Sequence, residues 1–81
     1  MNQIEEMLID KRDALKAAHA ECVKIANRII AQLSDVRTEN AFLSADTELV
    51  LDLARQLHDR QEDAVGIKRD IKDLQQRALD Q

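Results

Sequence analysis

The chain has almost none of the residues that turns and β-sheets require. Its 81 residues include no proline, one glycine (Gly66) and one aromatic residue (Phe42). Sheet proteins need turn residues at short intervals and favour aromatic and β-branched side chains. The sequence is instead rich in Ala, Leu, Glu, Gln, Lys and Arg, which favour helices. These features predict an all-α fold.

Other absences limit the compartment and the chemistry. Cys22 is the only cysteine, so no internal disulfide can form and a reducing, cytoplasmic compartment is expected. No apolar run approaches the ~18 residues of a membrane-spanning helix. Glu5 and Glu6 lie where a secretory signal would carry basic residues. We therefore predict a cytoplasmic protein that does not enter a membrane.

Apolar residues recur every seven positions in both halves of the chain. The two rows of the first half are Leu8, Leu15, Cys22, Ile29 and Val36, and Ile4, Lys11, Ala18, Ile25 and Gln32. The two rows of the second half are Val50, Leu57, Ala64, Ile71 and Ala78, and Leu53, Arg60, Ile67 and Leu74. Rows offset by three and four residues are typical of a coiled-coil core. The pattern predicts helices over residues 3–38 and 45–79, each about 50 Å long.

The segment between the predicted helices is short, which favours an antiparallel hairpin with a loop at about 39–44. Ser44 is a candidate N-cap of the second helix, with Asp46 and Glu48 in its first turn, where the helix dipole favours negative charge. Asn40 is a candidate left-handed terminator of the first helix. Because neither glycine nor proline marks the break, one continuous helix of about 115 Å is the alternative.

The apolar surface of the first helix is broader than one neighbouring helix can cover. From Cys22 to Leu33 it spans an arc of about 160°, so Val23, Ala26 and Ile30 should lie outside the contact with the second helix. Leu49, Ala54 and Val65 lie beside the core rows of the second helix. We therefore predict that two hairpins dimerise into a four-helix bundle; a complex with a different helical partner is the alternative. The expected dimer interface comprises Cys22, Val23, Ala26, Ile29, Ile30, Leu33, Leu49 and Leu53.

Lys11 and Arg60 interrupt the apolar rows. Their long stems can cover apolar surface while the charge reaches water. A second interpretation is that they set the register of the pairing. In an antiparallel hairpin, Arg60 would then lie near Glu21, and Lys11 near Asp70 and Asp73.

Few residues offer catalytic or metal-binding chemistry. One glycine excludes a Gly-rich phosphate loop. His19 and Cys22 share a helix face, as do His58 and Glu62, but the expected register keeps the two pairs apart. Cys22 is expected to act as a small core residue. We therefore predict no enzyme activity, no metal and no cofactor.

The net charge of −4 is unevenly distributed, because residues 38–63 carry seven acidic and two basic side chains. Nucleic-acid binding is disfavoured, since it requires a basic patch. The only basic cluster, Lys68, Arg69 and Lys72, is interrupted by Asp70 and Asp73. The acidic loop end can serve solubility alone, with Phe42 closing the bundle end. Alternatively it binds a basic partner surface, and the candidate residues are then Phe42, Leu43, Glu39, Asp46, Glu48 and Asp52.

These features favour a small non-enzymatic protein-interaction module, acting as a dimeric adaptor, regulator or inhibitor of an unidentified partner protein. Phage- and plasmid-borne regulators and secretion co-chaperones resemble it in size and build. Two alternatives remain. One is a secretion-type co-chaperone that pairs with a helical client, and the other is a small dimeric nucleic-acid-binding regulator.

Overall fold

The computed structural model describes residues 2–80 as two long helices joined by a short connection. Helix α1 spans Gln3–Val36 and helix α2 spans Thr47–Leu79, with a single 3-10 turn at Phe42–Ser44 between them. The described residues contain no strand. The molecule measures 63 × 17 × 14 Å, which is the shape of two helices lying side by side. The predicted all-α fold with two packed helices is confirmed.

Two contacts far apart along the molecule show that the helices run antiparallel. Near the chain ends, Lys11 Nζ of α1 lies 2.9 Å from Asp70 Oδ2 of α2. Near the connection, the backbone N–H of Asp46 donates to Gln32 Oε1 at 3.0 Å. A continuous helix would hold both pairs far apart, so the alternative of one long rod is excluded.

Helix α1 begins as its sequence suggests but ends earlier than predicted. Asn2 caps its start, because the Asn2 side chain accepts the Glu5 N–H at 2.8 Å. The helix ends at Val36, and Arg37 donates its backbone N–H to Ser34 O at 3.2 Å. The predicted left-handed terminator at Asn40 is wrong, since no residue between 2 and 80 has a positive φ. Hydrogen-bonded turns over residues 37–41 end the helix instead.

Helix α2 begins two residues later than predicted, and its cap is Asp46 rather than Ser44. The Ser44 N–H donates to Ala41 O at 2.9 Å, which closes the 3-10 turn. Asp46 then has extended backbone, and its Oδ1 accepts the Leu49 N–H at 2.9 Å. Ser44 is therefore the last residue of the 3-10 turn and not the cap of α2, which begins at Thr47.

The core between the helices is a single thin stripe. We label the heptads so that Leu8 in α1 and Val50 in α2 are a positions, and Lys11 and Leu53 are d positions. Most a and d residues are half-buried, and the buried apolar side chains among residues 2–80 are Ile25, Leu53 and Leu74, of which Leu53 is fully buried. Two helices can cover each other along one side only, so most apolar side chains keep part of their surface in solvent.

The two charged residues of the core rows behave differently. Lys11 pairs with Asp70, close to its predicted position. Arg60 does not form the predicted pair with Glu21, and its Nη1 lies 3.5 Å from Asp63 of its own helix. Glu21 in turn pairs with Lys24 at 3.2 Å. Partners three residues away on one helix are always within reach, whatever the register between helices.

Candidate interaction surfaces

The hairpin has two unlike faces, which follow from its antiparallel direction. In an antiparallel pair, the e positions of the two helices lie beside each other on one side of the core, and the g positions lie beside each other on the opposite side. Arg12 of α1 and Lys68 of α2, both e positions, line one groove. Met7 and Asp70, both g positions, line another groove on the opposite side. We call these sides the e face and the g face; the b positions border the former and the c positions border the latter.

Near the connection, the e face exposes a group of apolar side chains. Val23 is 43% exposed, Ile30 58%, Leu33 47% and Leu51 60%. All four occupy e or b positions, because seven-residue steps return to nearly the same side of a helix. With the alanines at the same positions they form the loop-proximal patch, which comprises Val23, Ala26, Ile30, Leu33, Leu51 and Ala54.

The residues expected in a dimer interface fall into two groups. Val23, Ile30 and Leu33 are exposed on the loop-proximal patch, and Ala26 is half-buried at its inner edge. The half-buried members that belong to the hairpin core or its edge are Cys22, Ile29 and Leu49. Leu53 has no exposed surface at all. It belongs to the hairpin's own core.

Leu51 is not among the interface residues predicted from the sequence, although it is the most exposed large side chain of the loop-proximal patch. It lies outside the two core rows of α2. Leu51 precedes Val65 by fourteen residues, which is two heptads. This spacing is the sequence feature that places both residues on one side of the helix.

Closer to the chain ends, the e face holds a groove of about 590 Å³ with a basic lining. We call it the terminal groove, and its lining residues are Arg12, Leu15, Val65, Lys68, Arg69, Ile71, Lys72 and Gln75. None of these eight residues is acidic. Asp70 and Asp73, which were expected to dilute the basic cluster, line the groove on the g face. Asp70 follows Lys68 by two residues, which corresponds to about 200° around the helix.

The two histidines line separate grooves. His19 and Cys22 line a second groove on the e face, of about 630 Å³, together with Gln61 and Glu62. His58 instead lies beside Leu51 and Ala54. Within residues 2–80 no three His, Cys, Asp or Glu side chains come together as metal ligands would.

The tip of the hairpin carries two exposed apolar side chains, Phe42 at 50% and Leu43 at 85% exposure. Of the acidic residues expected to assist them, Asp46 is engaged as the cap of α2. The others, Glu39, Glu48 and Asp52, are exposed. Phe42 and Leu43 are therefore accessible to a partner, whereas the side chain of Asp46 is used to cap α2.

Neither helix within residues 2–80 has the length and apolar character that crossing a membrane requires. Comparison with known proteins found no matching family model, no matching curated protein and no matching solved structure.

Proposed function

We propose that this chain is a small protein-interaction module without enzyme activity, which forms a homodimer and acts as an adaptor, regulator or inhibitor of another protein. The observation that carries this proposal is the loop-proximal patch. It gathers four large apolar side chains, each 43–60% exposed, on one face of the hairpin.

The size and continuity of the patch favour association over chance exposure. Single exposed apolar residues are common on protein surfaces, whereas contiguous patches mark interaction sites. From Val23 to Leu33 the patch extends about 15 Å along α1, and Leu51 and Ala54 widen it onto α2. None of its six members is charged. The charged residues Arg55 and Asp59 lie beside Leu51 and Ala54 at its α2 edge.

The thin hairpin core supports the same conclusion. Among residues 2–80 only Ile25, Leu53 and Leu74 are buried apolar side chains. Small domains need additional burial, and oligomerisation is one common source of it. A second hairpin on the loop-proximal patch would supply this burial and would convert two helices into a four-helix bundle.

A two-fold axis perpendicular to the long axis and passing through the patch makes the pairing self-complementary. Val23 of one copy then meets Leu33 of the other, and the two Ala26–Ile30 segments cross. The four helices would pack over their loop-proximal halves, while the terminal grooves stay open at the two ends. Phe42 and Leu43 at the tip remain the candidates for contact with a partner protein.

Sedimentation equilibrium of the purified chain tests the dimer. The expected mass is twice the 9.2 kDa of one chain, and the melting temperature should rise with protein concentration because folding and association are coupled. A folded monomer at about 100 μM, where even a micromolar dimer would be populated, would contradict the proposal. A poorly folded monomer that gains helix only with another helical protein would favour the co-chaperone alternative.

A further inference from the structure

The terminal groove combines an apolar floor with unpaired positive charge. Leu15, Val65 and Ile71 supply apolar side chains, while Arg12, Lys68, Arg69 and Lys72 supply four cationic groups. The ion pairs within residues 2–80 are Lys11–Asp70, Lys24–Glu21 and Arg60–Asp63. None of the four groove cations takes part in them. Their charge is therefore available to an external group.

The groove is long enough for a helix. It continues directly into the His19–Cys22 groove, because the two share Leu15, Val65 and Lys68. Along α2 the combined lining extends from Gln61 to Gln75, which is about 21 Å at 1.5 Å per residue. That distance corresponds to about four helical turns.

We propose that the terminal groove binds an acidic amphipathic helix of a partner protein. The apolar side of that helix would pack on Leu15, Val65 and Ile71. Its carboxylates would face Arg12 on the α1 side of the groove and Lys68 and Lys72 on the α2 side. Helix-in-groove recognition uses this combination of apolar anchors and charged borders.

Charge distribution favours such a helix over a nucleic acid. A phosphate backbone has no apolar side to cover the groove floor, and the groove lining includes no aromatic residue on which bases could stack. The g face moreover carries an acidic row along α2 that would repel a long polyanion. Its members at the c and g positions are Asp52, Asp59, Asp63, Asp70 and Asp73.

The geometry of the contact argues against a second copy of this chain as the occupant, although the acidic row of its g face is complementary in charge to the groove. Placing the g face of one hairpin on the e face of the next is a heterologous contact, which repeats without closing and generates open chains. A different protein avoids this, and the dimer proposed above leaves the lysine end of the groove, at Lys68 and Lys72, open. The groove proposal does not depend on the dimer.

Fluorescence anisotropy with a synthetic peptide tests the groove. The probe is an eighteen-residue labelled helix with Leu at heptad core positions and Glu elsewhere, about 27 Å long. We expect the Lys68→Glu, Lys72→Glu double variant to weaken binding at least tenfold, and Lys68→Gln, Lys72→Gln to weaken it less. The matched control is Lys24→Glu, Arg28→Glu, which makes the same charge change on exposed g-face residues. It should change binding less than twofold.

Four outcomes would overturn the groove proposal. They are absence of binding, equal loss in the control variant, equal binding of a scrambled acidic peptide, and displacement by a 20-base-pair DNA duplex at lower concentration than the peptide itself. Sedimentation of the same samples separates the two proposals. A dimer that ignores the peptide refutes the groove alone, and a monomer that binds it refutes the dimer alone.

Discussion

Replacing Ile30 by serine tests the proposed dimer most directly, and the size of its effect follows from the structure. Full burial of an isoleucine side chain contributes about 1.5–3 kcal/mol. Ile30 is 58% exposed in the single hairpin, so about 0.9–1.7 kcal/mol of that remains for association. A two-fold dimer contains Ile30 twice, which doubles the contribution to about 2–3.5 kcal/mol. The dimer dissociation constant should therefore rise about 30- to 300-fold.

The control is Ile9→Ser at the other end of α1. Ile9 is the same residue type, occupies the same b position and is 45% exposed. It lies 21 residues from Ile30, about 31 Å along the helix, and therefore outside the proposed contact. Both variants exchange isoleucine for serine within one helix, so their effects on helix propensity should cancel in the comparison. We expect Ile9→Ser to change the dissociation constant less than threefold.

Sedimentation equilibrium over a hundredfold range of concentration measures both constants, with circular dichroism at high concentration to confirm that each variant is helical. If the two variants weaken the dimer equally, the hairpins overlap along their whole length and the proposed contact is misplaced. If neither weakens it, the loop-proximal patch has no part in association and the argument from its exposure fails.

Three further substitutions test other parts of the structure. Leu53→Ala should lower the free energy of unfolding by about 2–4 kcal/mol because Leu53 is fully buried. The control Leu51→Ala changes a side chain that is 60% exposed and should lower the free energy of unfolding by less than about 1 kcal/mol. Urea unfolding of monomeric samples measures both values, and equal losses would refute the assignment of Leu53 to the core. Asp46→Ala removes the cap that accepts the Leu49 N–H and should lower thermal stability by about 0.5–2 kcal/mol, whereas no change would show that the cap is dispensable. Phe42→Ala should leave the sedimenting mass unchanged yet reduce recovery of a partner on an affinity column, and loss of the dimer as well would assign Phe42 to packing.

The two helices could be predicted from the sequence because helix periodicity is a local property. Seven-residue spacing identified the core rows, including Ile25, Leu53 and Leu74, which the structure buries. The helix ends were less predictable. Ser44 and Asp46 are both good caps, and the choice between them depends on the 3-10 turn that Phe42–Ser44 forms.

Side-chain pairing could be predicted only in part. Lys11 meets Asp70 as the antiparallel register requires, since α1 offers Lys11 no carboxylate that competes for it. Arg60 has Asp63 one turn away on its own helix and pairs with it. A partner one turn away on the same helix needs no long-range register and costs little side-chain entropy to reach.

The sequence by itself determined that the chain is helical, which residues form the stripe between the helices, and that the apolar surface of α1 is too broad for one neighbour. These properties depend only on the 100° step between successive residues of a helix. Only the tertiary structure decided which flanks of the two helices share a face. That outcome depends on the direction in which the connection returns the chain, and it brings Arg12 to Lys68 while it turns Asp70 and Asp73 to the other side.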